Sequence, residues 1–338
     1  MWRTVSMPRL PERGGHRREP ILSHAVWVYR DALRRRLMPT PVGDRLYRTV
    51  TAACAATIPL VLVLLTAVVL RAAWPALHMR AGELVVGTTW EVTRSQFGAL
   101  PAVVGTVLSS LIAVAIAAPL ALGVAIFAAD LGPRALREPV AFLVNLLAAI
   151  PSVVYGLWGV FVLIPFLRGT VMPVLAPLGT AIPLLSGPAY GPSLLAAGLV
   201  LAIMVLPFIA GISREVLLAV PHAQREAALA LGATPWEVVR DAVLPAARSG
   251  LVGGIMLGLG RALGETIAVA MVIGNRHAMP HSLFDPAYSV AALLANEFAE
   301  ASGDEHLSAL MAVAALLLVV TLTVNLMARW LVRRVATP

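Results

Sequence analysis

Long apolar blocks, nearly free of ionisable side chains, set the pattern of this chain. Between Arg48 and Arg71 the one ionisable group is Cys54, between Arg94 and Asp130 there is none, and between Arg168 and Arg214 there is only Tyr190. Apolar runs of about 18 or more residues read as membrane-spanning helices. Six are expected, at about 49–71, 103–128, 139–165, 193–213, 250–273 and 308–329. The fold class is therefore an all-α polytopic membrane protein with six transmembrane helices. Between the third and fourth spans, 169–192 holds Pro173, Pro177, Pro183, Pro188 and Pro192 among four glycines. That density of helix breakers excludes a further full span, and its apolar character predicts a short helix or a re-entrant hairpin. Pro151 removes a backbone donor inside the third span and is expected to kink it. Ser152 and Tyr155 then either face a pathway or bond back to the backbone.

Residues 1–45 are polar and arginine-rich, and form an N-terminal extension with a helical patch around 23–37. The transmembrane domain is 46–338, including a loop at 214–249. The first apolar block is of full spanning length, so it is expected to be retained and not cleaved as a signal peptide. All 26 basic residues are arginine. Without a lysine the chain lacks the phosphate-binding group of a P-loop, so no ATP site is expected in it. With both termini in the cytoplasm, 20 arginines fall on the inner side and five on the outer side. That is a clear positive-inside bias, and it explains the +8 net charge better than nucleic-acid binding does. The tail reads either as an arm that only fixes topology or as one that binds anionic membrane lipid or a partner. A single cysteine excludes an intrachain disulfide and a cysteine-ligated metal; Cys54 is expected to be a small packed residue. His277 and His281 flank a proline and read as a surface pair, with no metal-ligand spacing beside them.

The loop REAALALGATPWEVV reads as a short helix, a turn at Gly232 and a second helix leading into the fifth span. Thr234 is the expected cap of that second helix, with Pro235 at its first position and Glu237 three residues after the cap. Glu226-Ala227-Ala228, then Gly232, then Leu244-Pro245 resemble the EAA motif of ABC-importer permeases, with Ala242 where isoleucine is usual. The resemblance implies a coupling loop that docks into a cytoplasmic ATPase, Glu226 and Ala227 making contact and Gly232 making the bend.

The fifth span carries two charges, Arg261 and Glu265, in the run GRALGETIAVAMVIGN. Arg261 is 11 residues beyond Gly250, about 16 Å into a hydrocarbon core about 30 Å thick. An arginine there costs at least about 2.5–3.5 kcal/mol. A partner at i+4 lowers that cost, so an Arg261–Glu265 pair facing an interior, wet surface is expected. The pair reads either as structural glue or as a site where a planar guanidinium offers paired donors to a passing oxyanion. Gly250, Gly254 and Gly258, with Gly260 and Gly264, form small-xxx-small patterns that let another helix approach closely.

The stretch GLGRALGETIAVAMVIGN, with GTTW at 87–90, AAIPSVVYGLWG at 148–159 and SLFDPAYSVAALLANEFAEA after it, resembles the PstC-type permeases of Pst phosphate ABC importers. The likeness runs from about residue 46 to the C-terminus. It implies the type I ABC importer transmembrane fold in the bacterial cytoplasmic membrane, and phosphate passage past Arg261 and Glu265. It also implies a second permease, two ATPase copies that bind the ATP, and an external phosphate-binding protein. The chain itself would be no enzyme. Other readings of the residues are a permease for sulfate or molybdate, the sister phosphate permease, or an ion-coupled carrier with Glu265 as proton relay.

Overall fold

The computed structural model describes residues 41–301 and 303–336; the N-terminal extension and its helical patch lie almost wholly outside these. Backbone contacts divide the chain into two units, Met1–Leu65 and Thr66–Pro338. Helix α1, Pro41–Val86, runs through the boundary. Within its first part Cys54 is exposed, not packed as its type led one to expect; a weakly polar thiol is small enough to be tolerated on an open helix face.

The described residues are an all-α polytopic membrane protein: six helices are long and apolar enough to cross a membrane. After α1 comes a two-residue hairpin, β1 (Trp90–Glu91) and β2 (Gln96–Phe97), pairing Trp90 with Phe97. Then follow α2 (Leu100–Leu131), the non-spanning α3 (Arg134–Ala148), α4 (Ser152–Thr180) and α5 (Leu194–Leu218). The short α6 (His222–Ala230) precedes α7 (Pro235–Leu263), and α8 (Ile267–Val272) follows it. The chain closes with α9 (Val290–Glu297) and α10 (Asp304–Ala336).

Two expected spans are interrupted. The third is not one kinked helix over 139–165: α3 stops at Ala148, and Pro151 adopts an extended backbone, φ −60° and ψ 143°. Proline disfavours helical geometry in the residue before it and donates no hydrogen bond itself, so the ladder parts completely and restarts at Ser152. The fifth span likewise stops at Leu263 and restarts at Ile267. The apolar segment after the third span turns out to continue it, as helix to Leu175 and as a tighter turn to Thr180. Beyond that, Leu283 N donates to Leu184 O at 2.9 Å and Ser282 Oγ donates to the same oxygen at 3.2 Å, which fixes the segment as a surface strap.

Several prolines stand just after a repeated device, while Pro119 of α2, Pro139 of α3 and Pro207 of α5 lie inside regular helix. Among the described residues there are four π turns, Phe127–Leu131, Gly159–Leu163, Leu167–Val171 and Val238–Val243. Each is followed two residues later by a proline: Pro133, Pro165, Pro173 and Pro245. A π turn already displaces the i−4 ladder, so the missing N–H and the ring's steric demand fall where no regular bond was due.

Helix α5 is the most enclosed span, 61% of its apolar window being buried. α7 reaches it through the predicted glycine stripe. A Cβ at Gly250 would lie 2.6 Å from Val216, at Gly254 3.0 Å from Ile212 and at Gly258 2.6 Å from Ile209, so only hydrogen fits along this seam. Gly260 instead has Asn325 of α10 as its nearest neighbour, at 3.8 Å.

Candidate translocation site and coupling loop

The two interruptions lie side by side. Gly156, in the first turns of α4, would bring a Cβ within 2.6 Å of Met271 Sδ and 3.2 Å of the Ala268 Cα on α8, and Gly159 abuts Val272. Each restarted half-helix therefore packs on the other. Tyr155 is 8% exposed and donates its hydroxyl hydrogen to Leu147 O, 2.8 Å away at the end of α3. It thus latches the Pro151 break from below; of its two expected roles, the backbone bond is the one observed. Ser152 is half-buried at the first position of α4.

Arg261 and Glu265 do not pair. The ladder ends in the turn Gly264-Glu265-Thr266, where Glu265 N donates to Ala262 O at 3.3 Å. That turn swings the carboxylate off the α7 face on which i+4 spacing would have put it. Glu265 is half-buried, and its Oε1 accepts from Ala268 N at 3.4 Å across the start of α8. The Arg261 guanidinium is exposed and lies over the Phe208 ring of α5, 5.9 Å from its centroid, a cation–π distance. It is also near enough to Tyr155 to act on it electrostatically. Beside the break a separate open cavity of about 470 Å³ is lined by Gly264, Thr266, five α9-region side chains including Phe298, and Leu317; Arg261 is not in its wall.

One polar knot on the opposite side from the 214–249 loop was not foreseen. The Glu297 carboxylate accepts from Trp90 Nε1 at 2.8 Å, and lies 3.1 Å from His277 Nε2 and 3.1 Å from His306 Nε2. His277 is therefore not half of a surface pair with His281, whose backbone N–H goes to Asp285 instead. Rings stack around the knot, His277 on Trp90 and His306 on Phe97. Burial alone would raise the Glu297 pKa, but hydrogen bonds from His277, Trp90 and His306 outweigh it and hold the carboxyl below its ordinary value. Burial pushes the neighbouring Tyr288 phenol up. The partners come from three segments 9 to 207 residues away from Glu297; only GTTW and NEFAEA, as family-like runs, pointed towards them.

The loop folds as its sequence spells it. α6 ends at Ala230, Gly232 takes a left-handed φ of +86°, and Thr234 and Glu237 form a full capping box with Pro235 at the first position. Thr234 N donates to Glu237 Oε2 at 2.7 Å. Glu226, Ala227 and Gly232 are exposed, as a docking face requires, with Leu231 90% and Trp236 50% exposed beside them. Ala228 and Leu244 turn inward onto Ala125, Leu217, Val243 and Leu251, while Pro245 is exposed just past its π turn. The motif thus divides into an outward half and an inward half.

The model of the family described as "Binding-protein-dependent transport system inner membrane component" matches residues 121–337. A protein named "Phosphate transport system permease protein PstC" from Mesorhizobium japonicum is 45% identical over 92% of this chain and 95% of its own length. A protein of that name from Haemophilus influenzae is 43% identical over 81% of this chain and 89% of its own. Among solved structures, a chain of the inward-facing MetNI methionine ABC transporter superposes with a TM-score of 0.51 at 22% identity, over 72% of this chain and 96% of that one; at that identity the likeness speaks for the fold, which is the type I ABC importer permease fold. The chain belongs to the family of binding-protein-dependent transport system inner membrane components, and within it to the PstC permeases.

Proposed function

We propose that this chain forms one half of the phosphate pathway of an ATP-driven importer. The observation that carries the reading is the Arg261 guanidinium, exposed where two interrupted helices meet. Half-helix ends in mid-membrane are where transporters place anionic groups, because the N-terminal end of a helix carries partial positive charge. A guanidinium adds a planar fork of donors suited to an oxyanion. Phosphate as the substrate is supported by the printed names of the relatives.

Arg261 lies on the surface of this chain and not inside it, so a second permease is needed to complete the passage around it. Released from Glu265, the guanidinium keeps its charge for the substrate; its contact with Phe208 is weak enough to be given up as an anion passes. ATP is bound by two copies of an ATPase subunit on the cytoplasmic side, which seat against Glu226, Ala227 and the exposed turn at Gly232. The 20-to-5 distribution of arginines supports this placement, with both termini on that same side. An external phosphate-binding protein delivers substrate to the face that carries the Glu297 knot.

The test is uptake by the complete complex in vesicles, with phosphate and sulfate offered separately, with and without ATP. Uptake of phosphate that needs ATP and the binding protein is expected. Uptake of sulfate in preference, or transport driven by a proton gradient without ATPase subunits, would replace this reading with one of its rivals.

A further inference from the structure

Helix α6 is nine residues long and is held by few contacts. It enters through Pro221 and leaves through Gly232, where an added Cβ would meet nothing within 4 Å. If it is to transmit a push from outside, some firm joint must tie it to the spans. We propose that the ion pair between Arg225 of α6 and Asp130, in the π turn that ends α2, is that joint, and that both are positioning residues for coupling. The inference rests on the functional reading given above.

The geometry has three parts. Arg225 and Asp130 are in contact with only 16% and 11% of their side chains exposed, so water screens the pair little. Arg225 Nη2 also donates to Leu217 O at 2.7 Å, in the last turn of α5, where helix carbonyls lack partners of their own. One guanidinium therefore grips the ends of α2 and α5 together. Arg137 of α3 continues the grip, its Nε donating to Gly132 O at 2.7 Å and its Nη1 to Ala129 O at 3.2 Å, on either side of Asp130.

The joint also points at the pathway. Phe208, the ring beneath Arg261, lies nine residues up α5 from Leu217, about 14 Å along one helix. A displacement of α6 that drags Leu217 would move the surface on which Arg261 rests. Glu226, next in sequence, is exposed, so adjacent residues face outward and into the spans.

A buried ion pair also contributes to folding, and removing one partner strands the other. The experiment therefore compares Arg225→Ala and Asp130→Ala with the double variant Arg225→Gln/Asp130→Asn, which strands no charge. Each is assembled with its permease, ATPase and binding-protein partners in vesicles, and phosphate moved per ATP hydrolysed is measured. The ratio is expected to fall at least about tenfold, within the usual range of coupling between sites, in all three variants while hydrolysis continues. A wild-type ratio in either single variant, or its recovery in the double variant, would overturn the proposal. So would a parallel loss of hydrolysis and uptake in every variant. A wild-type complex that hydrolyses ATP yet moves no phosphate would instead bring down the functional reading itself.

Discussion

Replacing Gly105 by alanine separates tertiary packing from helix propensity. Gly105 lies in α2 beneath the loop that carries α9, and an added Cβ would sit 2.0 Å from the carbonyl oxygen of Tyr288. An ordinary C···O approach is about 3.3 Å, so one backbone must retreat by roughly 1.3 Å. No rotamer change can absorb this, because the obstacle is main chain. The adjacent Thr106 Oγ1 accepts from the buried Val290 N at 2.9 Å, and such a retreat breaks that bond. Overpacking of this kind costs about 1–3 kcal/mol, and the stranded amide about 1–3 kcal/mol more. Against this, alanine gains up to about 1 kcal/mol over glycine in a helix, leaving a net loss of about 1–5 kcal/mol. Gly123, in the same helix with nothing within 4 Å, is the control: there only the propensity gain remains. Thermal unfolding of purified protein, followed by tryptophan fluorescence, should show Gly105→Ala melting well below wild type and Gly123→Ala at or above it. Equal midpoints for the two would refute the close approach between α2 and the 276–289 loop.

Two further predictions concern other parts of the chain. The folded Glu297 carboxyl is held below the ordinary value of about 4.3, so its stabilisation is complete above that value and is lost as pH falls through the lower folded value. Midpoints measured from neutral to acid pH should therefore drop steeply for wild type, and Glu297→Gln should start lower and flatten that drop; parallel curves would contradict it. At the loop, Gly232 needs a left-handed backbone, which asparagine tolerates and a β-branched residue does not. Gly232→Asn should keep most ATPase binding in a pull-down from membranes, while Gly232→Val should lose it; equal binding would show that the turn can rearrange.

What was legible in the sequence follows the range of the interaction. The Thr234-Pro235-Glu237 box and the Gly232 turn are local, so spacing alone foretold them. The Gly250-Gly254-Gly258 stripe states that a helix comes close, and α5 does. The break after Leu263 was hidden because Gly264-Glu265-Thr266 contains no proline, and the apolar run continues on both sides of it. A carboxylate that reaches the amide of Ala268, and packing of α8 on α4, decide it, and neither can be seen from spacing. The Pro151 break was foreseen as a kink only, since proline weakens a helix locally while the surroundings determine whether it bends or parts. The Glu297 knot gathers side chains from three other segments, and no periodicity records that.

The central claim is that the Arg261 guanidinium meets the anion. Its most direct test is the initial rate of ATP-driven phosphate uptake by vesicles holding complexes with Arg261→Ala, with ATP hydrolysis and subunit assembly measured on the same preparations. Losing a hydrogen bond to a charged group removes about 1.5–3 kcal/mol, so uptake should fall roughly 10- to 150-fold while assembly and basal hydrolysis stay near wild type. Uptake undiminished in that variant would contradict the account and leave Arg261 a packing residue of the bundle.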